Sequence, residues 1–253
     1  MVLAFAIFVT MIAAGCTGSG GGGFEAPEAA NAAHDLISNA KYTRLVVEIH
    51  AVPGSEPHDM ALIELENAVA ENTAKGMPEV VVKADLPARG QDYKYRWSEV
   101  EALERKHRQG FASGLTIWLS ILYLDGGSEA DNGDELLFGA AYGATSLVMF
   151  KGNIRKITVA DGTLISTQPE IRFVERAVLV HELGHALGLV NNGIAMVTPH
   201  EDANHLKHSV NRDSVMYWAV ESSELLNIFT RGSDIPYQFD SNDKADMSAA
   251  RDD

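Results

Sequence analysis

The chain has 253 residues, 46% of them hydrophobic, and a formal net charge of −15 at pH 7. That length and composition suit one globular domain with a sizeable core. The acidic balance repels phosphate backbones and excludes nucleic acid as a partner. The single cysteine, Cys16, excludes an intramolecular disulfide and a cysteine-ligated structural zinc site.

Met1 to Gly15 is an apolar run ending in small residues. It is shorter than the roughly 20 residues a membrane-spanning helix needs, and residues 1–15 read as a signal peptide. Ala13-Ala14-Gly15-Cys16 resembles a bacterial lipobox, which implies that Cys16 is lipidated after cleavage. The glycine-rich stretch TGSGGGG follows, so residues 16–27 read as a lipidated, flexible tether and residues 28–253 as the folded domain. The expectation is an extracytoplasmic protein held at the outer membrane or cell surface through Cys16, or secreted if Cys16 carries no lipid.

Ala26 to Asn39 reads as a short helix and Arg44 to Val52, bounded by Pro53-Gly54, as a strand. His58 to Thr73 has helical spacing at Leu62, Leu65 and Val69, and Glu79 to Lys83 is a second strand. Ser98 and Glu101 predict a capping box for a helix running to Gln109. The uninterrupted apolar run Leu115 to Leu124 predicts a central strand buried on both faces. Thr145 to Phe150 predicts another strand, followed by a turn at Lys151-Gly152-Asn153. Glu170 to Leu189 is the strongest helix, apolar on most sides and therefore buried. A polar, loop-like stretch follows to Asp213, then the apolar patch Ser214 to Ala219 and a terminal helix from Asp240 to Ala250. This order implies an α/β or α+β domain with a mixed sheet. His34 and His107 read as surface residues.

The buried helix carries His181-Glu182-Leu183-Gly184-His185. Histidines four apart lie on one helix face, one turn from each other, so both imidazoles can reach a single ion. Glu182 projects beside that pair and can take a proton from metal-activated water and pass it to a leaving amine. Gly188 is positioned to end the helix in the left-handed conformation.

The segment from His181 to Asn191 resembles the metzincin motif H-E-x-x-H-x-x-G-x-x-H. The resemblance implies a zincin-like α+β fold: a mixed twisted sheet with an edge strand over the cleft, a buried active-site helix, a methionine turn and a C-terminal helix. It also implies Zn2+, His181 and His185 as ligands, Glu182 as general base and Gly188 as the turn. Asn191 stands where that motif has its third histidine, so the third ligand has to come from elsewhere. His200, His205 and His208 are the candidates. His208-Ser209 and Ser214-Val215-Met216 match the spacing of the archaemetzincin pattern H-C-x-x-x-x-C-x-M, with serine at both cysteine positions. On that match His208 is the third ligand and Met216 the apolar floor beneath the metal. A different zincin class would take a downstream glutamate, Glu221 or Glu224. The resemblance also implies an edge strand that receives substrate as an added strand, and Gly139 to Phe150 is the segment best placed for this. Tyr217 is a weak candidate for steadying an oxyanion.

The expected function is a zinc endopeptidase acting on peptide or protein substrates, tethered outside the cytoplasm. The alternative is a non-catalytic metal-binding lipoprotein or surface interaction module on the same fold.

Overall fold

The apolar run near residue 120 forms the middle of the sheet. The computed structural model describes residues 31–163, 168–230 and 234–252. The signal peptide, Cys16, the glycine tether, the domain boundary at 28 and the start of the first helix lie outside the described residues. In chain order the elements begin with α1 (Ala32–Ile37), β1 (Arg44–Ala51), α2 (Asp59–Asn72), β2 (Glu79–Lys83), β3 (Lys94–Tyr95) and α3 (Trp97–His107). Next come β4 (Ala112–Ser113), β5 (Thr116–Leu124), β6 (Gly127–Ser128), β7 (Gly139–Gly143), β8 (Ser146–Phe150) and α4 (Lys151–Ile157). Then follow α5 (Ile171–Ala186), β9 (Glu201–Asp202), β10 (His205–Ser209), a 3-10 turn (Trp218–Glu221), α6 (Leu225–Thr230) and α7 (Ser241–Asp252).

The main sheet runs β2-β1-β5-β8-β7, with β4 paired to β5. β1 is parallel to β2 and β5, β5 is parallel to β8, and β7 is antiparallel to β8. The sheet is therefore mixed, as the chain order predicts. β5 buries both faces by strict alternation. Ile117, Leu119, Ile121 and Tyr123 enter the core under α2 and α5, while Leu122 and Leu124 enter a second core with Val100 of α3. Two packed faces explain why β5 reads as a continuous apolar run.

α5 lies in the first core with Val174, Ala177, Val178 and Val180 buried. It ends at Gly188, whose φ is +78°. Leu189 N–H bonds Gly184 O and Gly188 N–H bonds His185 O, each at 3.0 Å, which is a Schellman closure. A Cβ at Gly188 would also sit 2.6 Å from Ala33 Cβ.

Three expectations change. The capping box of α3 lies two residues earlier than Ser98 and Glu101: Glu99 Oε2 accepts from Arg96 N–H at 3.0 Å. Trp97 N–H then bonds Glu129 Oε1 at 2.9 Å, and the helix starts there. The predicted turn at Lys151-Gly152-Asn153 is the first turn of α4. Tertiary partners override its turn-like composition. Lys151 pairs with the buried Glu175, and Asn153 Nδ2 bonds Asp131 Oδ1 at 2.8 Å and Leu137 O at 2.9 Å. The polar stretch after Val190 is not a plain loop, because β9 and β10 form an antiparallel hairpin within it. Among the described residues no helix is long and apolar enough to cross a membrane.

The Lys151–Glu175 pair joins α4 to α5, and Glu175 is 0% exposed. Glu175 Oε1 also accepts from His58 N–H at 2.7 Å. Lys151→Met strands a buried carboxylate and is expected to cost about 3–5 kcal/mol in urea denaturation. Adding Glu175→Leu should return most of that loss; a double variant no more stable than the single one would show that the cost has another origin.

Candidate metal centre

Helix spacing and the Schellman turn decide the first half of the site. His181 and His185 lie one turn apart on α5, with ring centroids 4.7 Å apart and Nε2 atoms 3.1 Å apart. The second half comes from the chain after the helix. Val190 and Asn191 take positive φ values of 51° and 61°, which swings the backbone away from the helix axis. Asn191 is exposed and bonds Glu201 Oε2 at 3.2 Å, so it does not replace the histidine of the motif. The β9–β10 hairpin then returns the chain. His208, at the end of β10, brings its ring centroid to 5.2 Å from His181 and 5.0 Å from His185.

Two of the three imidazoles are oriented by their other nitrogens, while His185 Nδ1 is buried without a hydrogen-bond partner. His181 Nδ1 lies 2.6 Å from Val215 O, and His208 Nδ1 lies 3.0 Å from Leu206 O. A carbonyl can only accept, so in each ring Nδ1 carries the proton and Nε2 the lone pair. His208 Nε2 has no hydrogen-bond partner, although it is buried. These two lone pairs and His185 Nε2 point at one small space that a cation can occupy. The donor set therefore fits a borderline metal ion such as zinc, with His181, His185 and His208 as the residues able to hold it.

Glu221 is the fourth member of this group; its ligand atoms and those of the three histidines all lie within 4.8 Å of one another. Its carboxylate oxygens reach His181 Nε2 at 3.7 Å and His208 Nε2 at 3.4 Å. Burial pushes its carboxyl up, but the imidazoles of His208 and His181 outweigh burial and hold it well below the usual range. For His208, burial lowers the pKa and Glu221 outweighs it, so the ring titrates above its ordinary value. Burial, then the charges of His181 and His208, hold His185 well below. A metal at His208 has to compete with a proton for that ring.

Glu182 is 0% exposed, and its carboxylate has no side-chain partner and no hydrogen bond of good geometry, only a looser approach to the Ala141 main chain of β7. It lies beneath β7, where a Cβ at Gly139 would come within 2.9 Å of Glu182 Cγ. Burial first, and then the charge of Glu221, push its carboxyl well above the usual range. A buried carboxyl with no side-chain partner and a raised pKa is expensive to keep and is characteristic of a proton-handling group. On the other side of α5, a Cβ at Gly184 would run into the thioether of Met216, which is 0% exposed.

The remaining sequence candidates lie elsewhere. His205 stacks on Trp218 at 4.1 Å and bonds Asp202 Oδ2 at 3.0 Å. His200 is buried among the acids of α7. Tyr217 packs at a tilt against Trp218, with ring centroids 5.7 Å apart. Glu224 bonds Asn227. His107 is not a free surface residue: it shares the Asp85 carboxylate with the buried His50, at 3.3 Å and 2.9 Å. Glu221 was legible only as a possible ligand of another zincin class. Nothing in its local sequence marks it, because a 3-10 turn well after His208 brings it to the histidines. A surface cavity of about 470 Å3 lies against β1 and β2, lined by Arg44, Glu48 and Lys75, and none of the metal-site residues lines it.

No family model and no curated protein matches the chain. A solved structure does: the crystal structure of archaemetzincin from Methanopyrus kandleri, at 19% identity. It covers 82% of this chain and 96% of that one with a TM-score of 0.50. At that identity the likeness shows the fold. This chain has a mixed α/β arrangement of sheet and helices similar to that of archaemetzincin.

Proposed function

We propose that the chain is a zinc-dependent endopeptidase, acting on peptide or protein substrates, with His181, His185 and His208 as metal ligands and Glu182 as the general base. The observation that carries this reading is the convergence of three imidazoles beside a fully buried carboxylate that no side chain neutralises. Binding alone has no use for Glu182. Bound there, zinc supplies Lewis acidity toward a substrate carbonyl and lowers the pKa of water toward about 7. Glu182 accepts the proton that the attacking water loses and returns it to the leaving amine. Its cover by β7 keeps bulk water from levelling its pKa. β7 is the edge strand of the main sheet, so its outer side offers backbone groups on which an extended peptide can add as a further strand. Met216 supplies the apolar floor under α5, the role of the methionine in the resemblance. The fold likeness to archaemetzincin supports the same reading at the level of architecture. Export and attachment through Cys16 complete the proposal; they rest on the amino-acid pattern of residues 1–23.

Glu221 favours a second reading. Catalytic zinc sites keep one position open, whereas structural sites are closed by a fourth protein ligand. A carboxylate 3.4 Å and 3.7 Å from two of the Nε2 atoms can close this one. Its main chain is tied down, since Phe138 N–H bonds Glu221 O at 2.9 Å. On this reading the protein holds metal without turning over peptides.

Glu182→Gln is expected to retain stoichiometric zinc and lose about 10²–10⁴-fold in peptide hydrolysis, because the amide accepts no proton. Equal hydrolysis by the two forms would eliminate Glu182 as the base. Glu221→Gln separates the two readings. An endopeptidase should keep its zinc and hydrolyse at least as fast as wild type. Absence of hydrolysis from zinc-loaded wild type and variant alike would favour the closed, non-catalytic site.

A further inference from the structure

A second group of potential ligands sits away from the three histidines, where the stretch before β9 meets the start of α7. His200 is 3% exposed, and its Nε2 faces Asp246 Oδ2 at 3.1 Å. A carboxylate can only accept, so Nε2 carries the ring proton and Nδ1 the lone pair. That Nδ1 has no hydrogen-bond partner, and neither does Asp243 Oδ1, whose residue is 0% exposed. The two atoms face each other across 3.9 Å, too far for a hydrogen bond. Asp240 brings an oxygen into the same group, with all three ligand atoms within 4.8 Å of one another.

The neighbouring donors are already allotted. Asp243 Oδ2 accepts from Ser214 Oγ at 2.6 Å and Asp240 N–H at 3.0 Å. Asp246 Oδ1 accepts from Val197 N–H at 2.6 Å. Asp240 Oδ1 accepts from the N–H groups of Asn242 and Asp243, and its Oδ2 from Asn211. What remains is an imidazole lone pair and an anionic oxygen facing one gap. One proton on His200 would leave a single positive charge against three carboxylates, two of them on residues with no exposed surface.

We propose that His200 Nδ1, Asp243 Oδ1 and Asp240 form a second divalent-cation site, separate from the three-histidine centre. Asp246 stands behind His200 as the carboxylate that orients a ligating imidazole. One nitrogen with carboxylate oxygens suits a zinc-class ion better than calcium, which takes oxygen-only sets. The cation is structural: it fastens α7 to the segment carrying the β9–β10 hairpin. Val210 N–H bonds His200 O at 2.9 Å, directly beyond the strand that presents His208. The site stands whether or not the chain hydrolyses peptides.

The test counts zinc in the full chain. Metal is stripped with a chelator, the protein is dialysed against Zn2+, and bound metal is measured by mass spectrometry. Wild type should hold about two equivalents, His181→Ala/His185→Ala about one, and the same variant with His200→Gln none. Zinc should raise the Tm of His181→Ala/His185→Ala and leave that of the triple variant unchanged. Asp243→Asn, which keeps the side-chain shape, should repeat the His200→Gln loss; circular dichroism checks that each variant is folded. His200→Gln alone should remove one equivalent from wild type, a result that holds even if the α5 histidines bind nothing. The second site is overturned if His200→Gln and Asp243→Asn leave the zinc count unchanged in folded protein.

Discussion

The hydrogen bond from His181 Nδ1 to Val215 O is the contact on which the rest of the site depends. It joins the buried helix to the chain just before Met216. It also decides which nitrogen of His181 faces the cluster. The second half of α5 is buried almost throughout and cannot hydrate its polar side chains, so each needs a partner inside the protein. His181 finds a carbonyl with one nitrogen and turns the other toward His185 and His208. Glu182 finds no side chain to pair with. On the proposed function, that contrast within two adjacent residues separates the metal ligand from the general base.

Close approach does the remaining positioning. Gly184 admits the Met216 thioether on one side of α5, and Gly139 admits Glu182 on the other. At both points a methyl group would clash with a buried side chain, and overpacking of this kind typically costs about 1–3 kcal/mol. The glycines therefore set how deep the helix sits between β7 and the Met216 loop. Gly188 has a separate task. Its left-handed conformation closes the helix and releases the chain toward the hairpin that returns with His208.

Charge runs through the same architecture. The protein is acidic overall, yet its buried acids are distributed by role. Glu175 is neutralised by Lys151 and serves stability. Glu221 is held ionised by imidazoles, while Glu182, adjacent to one of them in the chain, is pushed the other way by burial and by Glu221 itself. Opposite shifts on neighbouring carboxyls are the pattern by which a site assigns an acid and a base. Asp243 and Asp246 face His200 at the start of α7, where the nearby N–H donors are already committed.

The amino-acid sequence by itself determined what local periodicity can encode. The i, i+4 histidines with Glu182 between them, the glycine that ends α5, the two-faced apolar strand β5 and the mixed order of strands and helices were all legible, because each depends on residues close in the chain. His208 was legible as one of three candidates, through the spacing to Met216. Only the tertiary structure brought it to the α5 pair, by way of positive-φ residues and a hairpin hidden in a polar stretch. The same holds for Glu221, for α4 in a segment that reads as a turn, and for the pairing of His200 with the acids of α7. Each depends on groups far apart in sequence that meet because a buried charge or lone pair has to be met somewhere. No local pattern records where that meeting takes place.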